Sequence, residues 1–262
     1  MRVALNTITL GREVDPLAAL RATADAGFDS VGVWFDALSS LQEREGSLES
    51  VMDLPLRPEE MCYLGGWMWA TGEARDNALQ AAEDRASLAA EIGCPVVIAC
   101  ASGGTGDAAQ AAEDFRAIAD IGEKYGVVMA LEYIGAFEQY HDIKSGLELV
   151  RATNHPSAKL LIDIFHSFRG GTVVEDFKLP RGDEVGCVHL NDVPAGDIMQ
   201  MDDSHRVLPG KGVLPLREAL GYLGDNGYDG ALSIEIFNRE LWAMPAAEVA
   251  AMAKAAADEL MG

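Results

Sequence analysis

Four times along the chain an alanine-rich stretch with apolar residues at helical spacing runs into a glycine and then into a short apolar segment. Gly27 precedes DSVGVWF, Gly93 precedes PVVIAC, Gly126 precedes VVMALEY and Gly227 precedes ALSIEIF. A glycine just past a helix supplies the left-handed cap that turns the chain back, so each phrase predicts a helix-to-strand turn. Other β-rich runs, VALNTIT, MCYLGGW, AKLLIDIF and GCVHLND, bring the predicted strands to eight. Helices are predicted from Asp15-Pro16, with Leu17, Leu20 and Ala24 on one face, and over Glu73–Ile92, Asp107–Tyr125, Ile143–Thr153, Pro215–Asn226 and Pro245–Met261. The stretches 36–58 and 170–183 lack a regular period and predict long loops with short helices.

Apolar strands that alternate with helices imply a parallel sheet covered on both faces, and eight of them in one chain predict closure into a single (β/α)8 TIM barrel, one domain over residues 1–262. An open doubly wound sheet would carry GxGxxG after its first strand. The nearest match, Gly210-Lys211-Gly212, lacks the third glycine and follows a loop. With 49% hydrophobic residues there is ample material for a core. The four cysteines form no CxxC pair and read as reduced, mostly buried thiols. Against 20 basic residues stand 42 acidic ones, and a net charge of −22 opposes nucleic acid and anionic membrane surfaces as partners. The opening MRVALNTITLGRE is too short in its apolar part for a signal-peptide core, and no run approaches a membrane span, so a cytoplasmic protein is expected. A homo-oligomer is compatible with all of this.

Chemistry in such a barrel gathers where strands end. Glu132 in VVMALEYIG, Asp163 in LLIDIFH, His189 in GCVHLND and Glu235 in LSIEIFN each interrupt an apolar strand near its C-terminal end, on four neighbouring strands. A buried carboxylate needs a partner, and the strands contain hardly any Lys or Arg. Three carboxylates and one imidazole without cations therefore predict one divalent metal ion, with Mn²⁺ expected, although the donor set suits Zn²⁺, Co²⁺ or Mg²⁺ as well and does not discriminate sharply among them. Beyond these residues lie His166, Asn191, Asp192, His205 and Arg206. His166 and Arg206 are expected to contact substrate, with Asp192 beside the site or forked by Arg206. Trp34, Trp67 and Trp69, at or after strand ends, are candidates for an apolar wall, with Trp67 taken as a substrate contact; His141 and His155 read as structural or exposed.

The series LEYIG, LIDIFHSFRGG, VHLNDV, SHRVLPGKG and GYDGALSIEIFN resembles the xylose isomerase-like barrel superfamily of sugar phosphate isomerases and epimerases, and within it most nearly the inosose isomerases. The resemblance covers about Glu132 to Trp242. It implies one divalent metal held by Glu132, Asp163, His189 and Glu235, with His166 and Arg206 on the substrate. It further implies isomerisation or epimerisation of a keto-sugar or inosose through an enediolate, with Glu132 and Glu235 removing and returning the proton. Loss of a β-substituent from the same intermediate would instead make a lyase, such as an inosose or dehydroshikimate dehydratase or a C-glycoside deglycosidase subunit. The chain departs from the endonuclease branch: five histidines are too few for a multi-metal cluster. The loop after the seventh strand brings Asp192, Asp197, Asp202 and Asp203 near the site, while the glycines at 210 and 212 read as an ordinary turn. Those acids predict a neutral polyhydroxy ketone in preference to a sugar phosphate.

Overall fold

The computed structural model describes residues 1–262. Eight parallel strands, β1 (Arg2–Asn6), β2 (Ser30–Trp34), β3 (Arg57–Leu64), β4 (Val96–Cys100), β5 (Val128–Glu132), β6 (Ala158–Asp163), β7 (Val185–Leu190) and β8 (Ala231–Ile234), follow one another around a closed barrel. Ten helices lie outside or across its ends: α1 (Pro16–Asp25), α2 (Phe35–Glu45), α3 (Glu49–Met52), α4 (Gly72–Glu91), α5 (Ala108–Tyr125), α6 (Ile143–Thr153), α7 (Ile164–Arg169), α8 (Leu216–Asp225), α9 (Arg239–Trp242) and α10 (Ala246–Met261). No helix is long and apolar enough to cross a membrane.

Local signals set the helix ends. Asp15 accepts from the amides of Leu17 and Ala18 with Pro16 in the first turn, Asp107 does the same for Ala109 and Gln110, and Asp142 with Ser145 forms a capping box. The α5 helix stops at Gly126, whose φ of +72° is the left-handed turn expected of that glycine. The stretch expected to be irregular between 36 and 58 instead contains the eleven-residue α2, which buries Leu38 and Leu41 and ends on Gly46 at φ +79°. Its polar run LSSLQERE hides a one-sided apolar pattern that is too sparse to read without the partner surface. Between 170 and 183 the expected loop with short helices is present, the helices being 3₁₀ segments beginning at Val174 and Gly182.

Alternation along each strand sends apolar side chains into two main cores, beside a small third cluster of Phe165, Val193 and Met201. The larger lies between strands and helices. The smaller, with Cys62, Val96, Ile98, Ala130, Leu161, Cys187 and Ala231, fills the barrel interior. Ala130 shares a face with Glu132, Leu161 with Asp163, Cys187 with His189 and Ala231 with Ser233, so the apolar interior layer lies directly beneath a polar one at the strands' C-terminal ends.

Candidate active site

That polar layer is built from five strands. Glu132 ends β5, Asp163 ends β6, His189 lies one residue from the end of β7, and Glu235 follows β8. Register places Asp163 beside His189 across β6 and β7. All four side chains are buried, and one ligand atom from each falls within 4.8 Å of every other. The fifth strand supplies a residue that reading the sequence missed. Glu60 on β3 is completely buried, and its carboxylate accepts from Asn6 (2.8 Å), Ser233 (2.7 Å) and the Cys62 thiol (3.1 Å) and lies 3.1 Å from Nε2 of His189. It was missed because β3 begins at Arg57, four residues earlier than the apolar run suggests, and because pairing with β2 slips at Glu59, so that alternation breaks there. The space Glu60 fills exists because residue 32 is glycine: a Cβ there would sit 2.2 Å from Glu60 Oε1.

The hydrogen bond to Glu60 fixes the His189 tautomer. With the proton on Nε2 facing Glu60, the Nδ1 lone pair points among Glu235 (3.1 Å), Glu132 (3.5 Å) and Asp163 (3.6 Å), and it makes no hydrogen bond to any of them. A lone pair facing three carboxylates is repulsive unless positive charge stands between. Without an ion that charge is a second proton: burial opposes it, but Glu235 and Glu60 raise the imidazole well above its ordinary range. Burial raises the Glu235 carboxyl, against His189 and Arg206, which lower it. Burial also pushes Asp163 up, and Arg206 and His166 more than reverse this, holding it well below the carboxylate range.

Arg206, expected to contact substrate, lies on the loop before α8 and lines the cavity over the site. It is buried, donates from Nη1 to Asp163 (3.0 Å) and Glu235 (3.1 Å), and bonds Asp203 (2.5 Å) and His166 Nε2 (3.1 Å) through Nη2. The cation absent from the strands is thus delivered by a loop. Because Arg206 can only donate, it takes the Nε2 lone pair of His166 and leaves the His166 proton on Nδ1, which has no partner in the protein. His166 itself is placed by Asp163, which caps the short α7 by accepting from the His166 amide (2.8 Å). Burial, followed by the Arg206 charge, lowers the His166 pKa against Asp163, so the ring is a neutral donor. Asn191 completes the support, accepting from the Phe165 amide and donating to Asp163 (3.1 Å).

A cavity of about 780 Å³ opens over this layer, lined by Glu132, His166, Arg206 and Glu235 and walled by Trp34, Tyr63, Phe137, Phe237 and Trp242. Two expected contacts are not in it. Trp67 is buried against Phe115, centroids 5.4 Å apart, on the helix side of the barrel wall. Asp192 turns away from the site: Oδ1 accepts from the amides of Val193 (2.9 Å) and Leu214 (3.0 Å), and Oδ2 from those of Gly210 (3.1 Å) and Gly212 (3.0 Å). The glycine turn at 210–212 therefore is an anion nest, occupied by the chain's own carboxylate. Asp192 is not forked by Arg206. Trp34 does line the cavity, its indole N–H held by Asn6 (2.8 Å), whereas Trp69 stacks on Tyr140 outside it.

Residues 20–259 match the xylose isomerase-like TIM barrel family. The chain belongs to that family. It is 31% identical over 147 residues to the inosose isomerase of Bacillus licheniformis, an alignment that takes in 56% of this chain and 53% of the relative, so the chain spans about half the length of that isomerase. To the 3-dehydroshikimate dehydratase of Pseudomonas aeruginosa it is 28% identical over 244 residues, 86% of this chain and 37% of the relative. Among solved structures it resembles the IolI protein with a bound zinc atom, at a TM-score of 0.91 and 21% identity over 99% of this chain and 98% of that one, a likeness of fold. Isomerase and dehydratase thus both occur among enzymes related to it.

Proposed function

We propose that the protein is a divalent-metal-dependent isomerase or epimerase of a small polyhydroxy ketone, an inosose or related keto-sugar, acting by proton abstraction next to the carbonyl. The observation that carries the reading is the His189 Nδ1 lone pair aimed, without a hydrogen bond, among Glu132, Asp163 and Glu235. One nitrogen and three carboxylates around a common centre fit a cation such as Mn²⁺, Zn²⁺, Co²⁺ or Mg²⁺, and the zinc of the similar IolI structure is in keeping with that. When bound, such an ion polarises a carbonyl and the adjacent hydroxyl and acidifies the C–H between them.

The chain's own groups account for the rest. Glu132 borders the cavity with the His189 ring and the Cys100 thiol beside it, and is placed to take a proton from a ligand lying above. Glu235 borders the same cavity three strands away and is the second candidate to hold or return a proton. His166 presents Nδ1–H to a ligand oxygen, and Arg206 keeps Asp163, Glu235 and His166 in register. The aromatic walls flank the space in which the reacting carbons would lie. A dehydratase outcome is the second reading, favoured by the relative that covers 86% of this chain, and it differs only in what leaves after the proton.

Deuterium incorporation next to the carbonyl tests both. With Mn²⁺ present and inososes, free ketohexoses and carboxylated or phosphorylated polyhydroxy ketones supplied in D₂O, NMR is expected to show exchange that falls at least about a hundredfold in Glu132→Gln. Product with a new stereocentre or a shifted carbonyl supports isomerase or epimerase, and loss of water supports the lyase. No exchange on any ketone at full metal occupancy would overturn the proposal.

A further inference from the structure

Two more cations border the cavity. Arg12 reaches it from the loop after β1 and Arg239 from the first turn of α9, just after β8, and these strands are neighbours in the barrel. In a chain with 42 acidic and only 20 basic residues a guanidinium readily finds a carboxylate, as Arg206, Arg151 and Arg181 do. Neither guanidinium has a carboxylate oxygen within 4.0 Å or a hydrogen bond to the protein. Arg12 is nonetheless held in place: its guanidinium stacks over Phe237 (5.5 Å) and Trp242 (5.7 Å), both in the cavity wall, and the Trp242 indole is tied to the Ile8 carbonyl (2.8 Å). Stacking orients the guanidinium while leaving its N–H donors unused.

The acids that border the cavity are, by contrast, engaged. Glu132 and Glu235 belong to the proposed metal centre, Asp203 bonds Arg206, and Asp202 caps its own turn through Ser204 and lies 2.9 Å from the His205 ring; Asp192, outside the cavity, is sealed in the 210–214 loop. Of the acids expected to repel an anionic substrate, Asp203 is paired with Arg206 and Asp192 faces away from the cavity, whereas Arg12 and Arg239 carry unpaired positive charge at its border. We infer that the cavity takes an acidic substrate, a polyhydroxy ketone bearing a carboxylate or phosphate group that Arg12 and Arg239 hold while the ketone lies at the carboxylate–histidine centre. The inference rests on the proposed function for the position of the ketone, and it reverses the neutral substrate expected from the acidic loop.

Binding of non-reacting probes separates the two. Metal-loaded protein is titrated with myo-inositol, with quinate as its carboxylated counterpart and with myo-inositol 1-phosphate, read by calorimetry and by the fluorescence of Trp34 and Trp242. At least one acid is expected to bind about tenfold or more tightly than inositol, about 1.4 kcal/mol, and which acid does so identifies the group. Arg12→Gln and Arg239→Gln are each expected to cut that advantage severalfold and the double variant to abolish it, with thermal melting confirming the fold. Both side chains are exposed, so if the double variant fails to fold the single ones decide. Raising NaCl to about 0.5 M is expected to shrink the advantage, as for an exposed charge pair. Acids that bind no tighter than inositol, including no measurable binding of any probe, overturn the inference, as does an advantage that survives in the arginine variants. An acid preference without exchange on any ketone would sink the enolising function and leave the anion subsite; exchange without the preference would do the reverse.

Discussion

A neutral imidazole carries one proton, and Glu60 decides which nitrogen of His189 holds it. The carboxylate lies at Nε2 and is itself held by Asn6 and Ser233, so Nδ1 is the free lone pair. Replacing Glu60 by Gln keeps the shape but allows the amide N–H to face the ring and select the other tautomer. Metal affinity is expected to fall about 10–100-fold, as for other carboxylates behind a ligating histidine. Competition with a chromogenic chelator reads this without any substrate, and an unchanged affinity would show that Glu60 only fills space. The four residues proposed as ligands were legible in the sequence because each interrupts an apolar run one layer above the barrel core. Glu60 was not, since the slip in pairing at Glu59 hides it in what reads as a charged loop, RPEE. Arg206 was only half legible: its place near the site followed from spacing, but its burial depends on the loop folding inward.

At the scale of elements, the βα alternation and its glycine stops were readable because each depends on a few adjacent residues. The α2 helix and the loop between β7 and α8 were not, because their order comes from contacts distant in sequence. Asp192 organises that loop by accepting four amides, and a Cβ on Gly212 would lie 2.3 Å from its carboxylate. Asp192→Ala leaves four buried or half-buried N–H groups without their acceptor and is expected to cost about 2–4 kcal/mol, with a melting temperature lower by several degrees. Differential scanning calorimetry checks it; a loss within experimental scatter would mean that water replaces the carboxylate freely.

For the whole molecule, excess negative charge makes acid stability depend on the carboxylates that have partners. Glu184, buried at the entry to β7, pairs with Arg151 (2.8 Å) and Arg181 (3.0 Å) and accepts from the Arg181 amide. Burial raises its carboxyl, but Arg151 and the Arg181 amide bring it below the ordinary value. A depressed folded-state pKa means stability that is complete above the unfolded value, about 4.3, and is lost as pH falls through the folded one. Denaturant titrations between about pH 5 and pH 3 are expected to show a shallower decline for Glu184→Gln than for the unchanged protein, and parallel curves would assign the acid limb to other groups.

The turn at Gly210–Gly212 has one further implication. In many barrels the region after the seventh strand is where phosphate docks, and here Asp192 acts as a tethered plug in a socket of backbone amides. Once Ala replaces Asp192 the socket is vacant, and inorganic phosphate or sulfate at millimolar concentration is expected to restore part of the lost melting temperature, while chloride at matched ionic strength is not. One substitution would thus convert an internal cap into a receptor for a free oxyanion.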